Sequence, residues 1–360
     1  MNVPLRTRRF IYPLVLASAA LFLAVEVSSF LRVFPGRERE PKVVFIKPHL
    51  PPGLIALELR NQGVLTSRWK FKLLVHLLGV GRKLKPGEYN FPVPSSPLEA
   101  VRTLVAGKVI LHKVLFPEGI TVDGMGHVLA EAGLVDTQSF EELTHRSDLP
   151  ARFGIPAGSL KGFLFPDTYF LSKLDDGEAI LRTVYERFKA VITPQDHLRA
   201  RELRLSLLQW VTLASLIEKE SSLTSEQPMI SSVFHNRLKK WMRLQSDPTV
   251  IYGIPDFNGN LTKKDLQTPT PYNTYTKMGL PPGPIANPGL SALRAAIYPA
   301  TTNFLYFVAR KDGTHAFAAT YEEHLKNVAR YQLGKPASPM PPPSSETKSL
   351  QQKDRTPPLP

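Results

Sequence analysis

The sequence contains no cysteine. Disulfides, thiolate metal sites and cysteine nucleophiles are thereby excluded together, and an exported protein that folds without oxidation fits this composition. Acidic residues are scarce relative to basic ones: 31 Asp and Glu against 45 Lys and Arg give a formal net charge of +14. A basic surface suits nucleic acid, anionic lipid or an anionic wall polymer. The sequence carries neither zinc-finger spacing nor an RNP-like run, which argues against nucleic acid. With 42% hydrophobic and 21% charged residues over 360 positions, the composition is that of a folded chain of two or three domains.

One long apolar run opens the chain. Arg6, Arg8 and Arg9 precede it, Glu26 interrupts it, and residues 27–34 extend it past Arg32. A spanning helix needs roughly 20 largely apolar residues, a length this run reaches by including Glu26. The flanking arginines assign the amino terminus to the cytoplasm and everything after about residue 34 to the outside. A cleaved signal peptide shares the charged start, but no Ala-x-Ala site follows the apolar core. The expectation is an uncleaved single-pass anchor over residues 1–34, with a charged, Pro-containing linker at 35–42. Export of the body disfavours a nucleic-acid partner.

Two similar segments follow. Val44-Phe45-Ile46 leads through Pro52-Gly53 to Leu59, Gly63 and Phe71; Val114-Leu115-Phe116 leads through Pro117 and Gly119 to Leu129, Gly133 and Phe140. Each reads as a strand, a turn, a helix closed by glycine and a second short helix. Between them, residues 84–91 read as a turn into a strand. A small α+β module over residues 43–145 is predicted, followed by a mainly helical domain over 146–333 that contains a β-hairpin. The fold class is α+β. Residues 334–360 are rich in Pro, Ser, Lys and Gln and read as a disordered tail.

Residues 203–220 form the most informative helix. It is apolar from Leu205 to Ile217 and ends in Glu218-Lys219-Glu220. Positions two apart lie about 200° apart around a helix, so the two glutamates face opposite ways and cannot act as a paired acid and base. Glu220 shares its stripe with Leu213, Leu216 and Ile217. A carboxyl at the end of an apolar stripe loses hydration of its charged form, its pKa rises, and it becomes fit for general acid work. Thr224 with Gln227 fits a capping box for the next helix, which carries Met229, Ile230, Val233, Phe234 and Leu238 as core. Asp247 before Pro248 reads as an N-cap. Residues 267–289 then form a Pro-rich loop whose Tyr, Asn and Thr groups suit sugar hydroxyls and ring faces. A hairpin around Asp312-Gly313 and a closing helix from Tyr321 to Leu333 complete the domain.

These residues resemble the MltG/YceG-like endolytic murein transglycosylases. The likeness rests on Ala214 to Glu220, on Asn236-Arg237-Leu238 with Met242 to Tyr252, on Tyr272-Asn273-Thr274-Tyr275 with Gly279 to Ile285, and on Gly162 to Tyr169. It implies a membrane anchor, a LysM-like module and a catalytic domain, in that order. It implies cleavage of the MurNAc–GlcNAc β-1,4 bond of nascent glycan strands with formation of a 1,6-anhydro-MurNAc end, which limits strand elongation. It also makes the second glutamate of the Glu-Lys-Glu run, Glu220, the catalytic residue. Glu218, Gln245, Asp247, Tyr252, Asn273 and Tyr275 are the candidate substrate-binding residues. No metal or cofactor is called for. The implied partners are peptidoglycan glycan strands, the cytoplasmic membrane and peptidoglycan synthases. A lysozyme-like muramidase and a non-catalytic, membrane-tethered peptidoglycan-binding scaffold are the alternatives.

Overall fold

The computed structural model describes residues 5–31 and 39–333. The expected Pro-rich tail and the first half of the expected linker, residues 35–38, lie outside the described residues. Helix α1, Leu5–Leu31, contains the one stretch among the described residues long and apolar enough to cross a membrane, Leu14–Leu31. The chain divides into two compact units, residues 1–160 with 164–189, and residues 161–163 with 190–360.

The first unit holds a duplicated pattern. The first copy runs β1 (Arg39–Ile46), α2 (Pro52–Asn61), α3 (Arg68–Leu77), β2 (Gly87–Val93) and α4 (Pro97–Ala106). The second runs β3 (His112–Leu115), α5 (Val122–Glu131), α6 (Thr137–Thr144), the short α7 (Leu149–Phe153), β4 (Thr168–Leu171) and α8 (Gly177–Val191). Each copy forms its own antiparallel two-stranded sheet, with Val44 opposite Tyr89 in one and Val114 opposite Tyr169 in the other. In both, the tyrosine hydroxyl donates to the carbonyl four residues earlier, Tyr89 to Lys85 at 2.8 Å and Tyr169 to Phe165 at 2.6 Å. Gly63 and Gly133 stop the first helix of each copy at φ 78° and 67°, a left-handed backbone that a side chain would strain.

The repeat therefore reaches beyond the segment in which the sequence displays it. The expected boundary at residue 145 falls inside this unit, because β4 supplies the strand that β3 needs and α8 follows it as α4 follows β2. Ladder hydrogen bonds that leave no trace in local hydrophobic periodicity carry residues 164–189 into the first unit. Strand β1 likewise begins at Arg39, opposite Val93, so residues 39–42 are strand rather than linker.

The second unit is built around one apolar helix. After α9 (Pro194–Glu202), α10 (Leu207–Glu220) begins at Ser206, whose side chain accepts from the Gln209 N–H in a capping box. Every residue from Trp210 to Ile217 is buried. Around α10 pack α11 (Gln227–Lys239), α12 (Asp247–Tyr252) and α14 (Leu290–Ile297). The Trp210 indole N–H donates to the Leu293 carbonyl at 2.7 Å, and the Ser215 hydroxyl accepts from the Ile285 N–H at 3.1 Å. Helix α13 (Lys263–Gln267) precedes the Pro-rich loop. The hairpin β5 (Tyr306–Ala309) and β6 (His315–Ala318) and the helix α15 (Tyr321–Tyr331) stand where the sequence predicts them. Helix α11 departs from expectation: its N-cap is Glu226, not Thr224, and makes no side-chain cap. The Glu226 carboxylate instead accepts from the backbone N–H of His315 and pairs with its ring.

Candidate active site

Glu220 is the last residue of α10, half-buried beyond the fully buried Leu213, Leu216 and Ile217. Its Oε1 accepts a 2.5 Å hydrogen bond from the Ser246 hydroxyl. Loss of hydration pushes its carboxyl up to about 7, and the nearby negative charge of Asp247 adds to the rise. The Ser246 hydrogen bond and the positive charge of Arg237 act in the opposite sense and are outweighed. The carboxyl also sits at the negative end of the α10 dipole, which disfavours its ionised form. A glutamic acid that keeps its proton near neutral pH is the outcome.

The residues that hold this acid come from α11, from the turn before α12 and from the Pro-rich loop. Ser246 is 2% exposed and is fixed by its backbone: its N–H donates to the Thr274 hydroxyl at 3.0 Å, and its carbonyl accepts from the Thr249 hydroxyl at 2.6 Å. Thr249 and Thr274 share a further 2.8 Å hydrogen bond. The loop thus sets the serine that sets the acid. Next to Ser246, the Asp247 carboxylate accepts from the Tyr275 hydroxyl at 2.5 Å. Burial and this carboxylate both push the Tyr275 phenol upward, so it remains a donor at every pH of interest.

Arg237, on the last turn of α11, is 7% exposed. Its guanidinium donates to the carbonyls of Leu305, Arg243 and Leu244 and to the Gln245 side chain, and it lies 5.2 Å from the centre of the Tyr306 ring. It has no carboxylate partner within ion-pair distance among the described residues. It is a buried cation held by neutral acceptors. Gln245 itself stands at φ 53°, a backbone strain of about 1–3 kcal/mol for a residue with a side chain.

Glu220, Arg237, Gln245, Asp247 and Tyr275 line one open cleft of about 450 Å³, whose other wall is formed by the hairpin and α15 through Tyr306, His315 and His324. The volume is that of a site for an extended polar ligand. One protonated carboxyl, one hydrogen-bonded carboxylate and one fixed cation suit acid-assisted cleavage of a polar bond. Among the described residues no cluster of His, Asp and Glu is arranged to hold a metal ion.

The model of the YceG-like family matches residues 44–330. The chain belongs to the YceG-like family. An endolytic murein transglycosylase of Bacillus subtilis is 39% identical over 173 residues, which cover 48% of this chain and 48% of that protein. An endolytic murein transglycosylase of Streptococcus pneumoniae is 28% identical over 69% of this chain and 51% of that protein. The chain spans about half the length of the curated relatives it matches. The crystal structure of a yceG-like protein from Listeria monocytogenes is 30% identical, with a TM-score of 0.55 over 80% of this chain and 99% of that one.

In this YceG-like chain the cleft gathers four of the seven residues singled out in the sequence: Glu220, Gln245, Asp247 and Tyr275. The other three lie elsewhere. Glu218 faces α14, where its Oε2 accepts from the Gly289 N–H at 2.9 Å and caps that helix. Asn273 is fully buried. Its Nδ2 donates to the carbonyls of Asp265, Leu266 and Thr268, and its Oδ1 accepts from the Tyr275 N–H. The expectation that Asn273 meets sugar is corrected: the stiff loop needs its amide to satisfy its own backbone. Tyr252 accepts from Lys161 at 2.8 Å and packs 4.6 Å from the Tyr272 ring centre, away from the residues lining the cleft. The N-cap of α12 is Ser246, with Asp247 the first helical residue. Two contributors were not singled out as site residues. Ser246 carries no sequence signal of its own, because Asp247-Pro248 satisfies the capping rule by itself. Arg237 reads as an ordinary basic residue in the last turn of a helix.

Proposed function

We propose that this chain is an endolytic lytic transglycosylase that cuts peptidoglycan glycan strands between MurNAc and GlcNAc. The observation that carries the reading is the Glu220 carboxyl, raised to about 7 by loss of hydration and lining a cleft. The names of the relatives support the same activity. Glu220 donates its proton to the glycosidic oxygen as the C1–O bond breaks, and the MurNAc acetamido oxygen stabilises the charge at C1. The Glu220 carboxylate then takes the proton of the C6 hydroxyl, whose oxygen closes on C1. The acid is restored, no water is consumed, and the product ends in 1,6-anhydro-MurNAc. Asp247, locked to Tyr275, supplies acceptor capacity for substrate hydroxyls. The same cleft also supports a hydrolytic reading, since ordinary glycosidases use two carboxyl groups and Asp247 is a second one.

In this reading α1 anchors the protein in the cytoplasmic membrane, with Arg6, Arg8 and Arg9 on the cytoplasmic side and both units outside. The strand–helix–helix–strand order of β1, α2, α3 and β2 supports a LysM-like role in holding glycan. Peptidoglycan synthases are the fitting protein partners for an enzyme that limits strand elongation. The test is mass spectrometry of products from purified peptidoglycan. Anhydro-ended fragments from the native chain and none from Glu220→Gln are expected. Reducing ends alone would establish the hydrolase, and undiminished cleavage by Glu220→Gln would remove Glu220 from the chemistry.

A further inference from the structure

Helix α3 has two apolar faces. Phe71 and Val75 are buried in the core of the first repeat copy. At about 100° per residue, Trp69, Leu73 and Leu77 form a second stripe roughly half a turn away. These three are 57%, 40% and 70% exposed. The helix contains no acidic residue. Lys70 and Lys72 flank the outer stripe on either side, and Arg68 precedes it. An exposed apolar row bordered by the exposed Lys72 and Arg68 is the pattern of a helix lying in a lipid–water interface.

The position of this row relative to α1 identifies what covers it. Lys70 forms a 2.7 Å ion pair with Glu26 of α1 and donates to the Ser29 hydroxyl at 2.5 Å. The Phe30 ring meets the Trp69 ring edge-on at 5.7 Å. The stripe thus starts beside the last turn of the apolar helix, at the level where a membrane-crossing segment emerges. Lys70 also accounts for the acid that interrupts the apolar run, since Glu26 has its counter-ion in α3.

We propose that α3 is a membrane-seating surface: Trp69, Leu73 and Leu77 enter the interfacial layer of the outer leaflet beside the anchor, and Lys72 and Arg68 meet anionic phospholipid headgroups. The inference rests on α1 being the membrane anchor. Its consequence is that the first repeat copy lies on the bilayer instead of swinging on a free tether.

The test uses the full chain carrying Trp241→Phe, reconstituted into nanodiscs of phosphatidylcholine and phosphatidylglycerol. Trp69 is then the one exposed indole, since Trp210 is buried. Lipids brominated close to the ester carbonyl should quench the Trp69 emission, as for an interfacial indole, and adding Trp69→Phe should abolish the quenching. In nanodiscs without phosphatidylglycerol the quenching should fall; equal quenching there overturns the headgroup contact. A control chain carrying Trp69→Phe, Trp241→Phe and Leu23→Trp reports α1 itself through lipids brominated deep in the acyl chain. Quenching of that probe without quenching of Trp69 overturns the seating surface and leaves the anchor standing. Absence of both overturns the anchor and the seating surface together.

Discussion

Replacing Glu220 with glutamine should make the protein more stable, and by an amount that depends on pH. The carboxyl is raised from an ordinary 4.5 to about 7 in the fold, chiefly by loss of hydration. Below pH 4.5 the group is protonated in both folded and unfolded chains and contributes no difference. Between pH 4.5 and 7 the unfolded chain loses this proton and the folded chain keeps it, so stability falls as pH rises; above about 7 the loss is complete. At 1.36 kcal/mol per pKa unit the ionised carboxyl costs about 3 kcal/mol at pH 8. Glutamine is neutral at every pH and keeps an oxygen to accept from Ser246. Glu220→Gln should therefore match the native chain near pH 4.5 and exceed it by about 3 kcal/mol at pH 8. Urea melts at several pH values, followed through the buried Trp210 in a Trp241→Phe background, measure the difference. A stability gap that does not change between pH 5 and 8 would falsify the assignment of a raised carboxyl at this position.

Ser246→Ala removes a hydrogen bond that holds the Glu220 carboxyl down; the alkaline limb of the pH–rate profile should move to higher pH, and an unchanged limb would show that the serine does not act on the acid. Asn273→Ala deletes the side-chain hydrogen bonds that tie the loop to α13 and to its own backbone, and a loss of about 2 kcal/mol or more in stability is expected, read by thermal melts. Tyr275→Phe removes only the hydroxyl that reaches Asp247, so turnover should drop with a stability change of about 1 kcal/mol. Glu218→Ala should cost about 1–3 kcal/mol by leaving the Gly289 N–H unsatisfied, whereas Glu218→Gln, which retains an acceptor, should melt near the native temperature. Neither should move the pH–rate profile; a displaced profile would bring Glu218 into the chemistry.

Helical periodicity finds α10, α11 and α15, and two short apolar runs about the Asp312-Gly313 turn find the hairpin, because each records its buried face in local sequence. Glu220 becomes the catalytic candidate only when the family resemblance is added to its place on an apolar stripe. Periodicity distinguished Glu220 from Glu218 through about 200° of helical rotation, and the two carboxylates do have different neighbours, Ser246 for one and Gly289 for the other. Contacts made across long sequence separations were not legible. The Ser246–Glu220 hydrogen bond joins residues 26 apart, and the Arg237–Leu305 bond spans 68. The extent of the first unit was hidden for the same reason, since the partner of β3 lies more than fifty residues downstream. Asn273 misled because a polar residue in a Pro-rich loop looks the same in sequence whether it faces ligand or satisfies its own backbone.

The duplicated pattern bears on ancestry. Leu59 and Leu129 are 70 positions apart, as are Gly63 and Gly133, while Tyr89 and Tyr169, and Arg102 and Arg182, are 80 apart. The extra ten positions enter in the stretch that contains α7, so one copy is the other with an insertion. The buried core residues of the shorter copy lie between 44 and 104, with Val105 and Val109 packed against them, and its Gly107 closes α4 in a left-handed cap. The two copies thus read as one stretch of gene written twice, the later copy having grown between its second helix and its second strand.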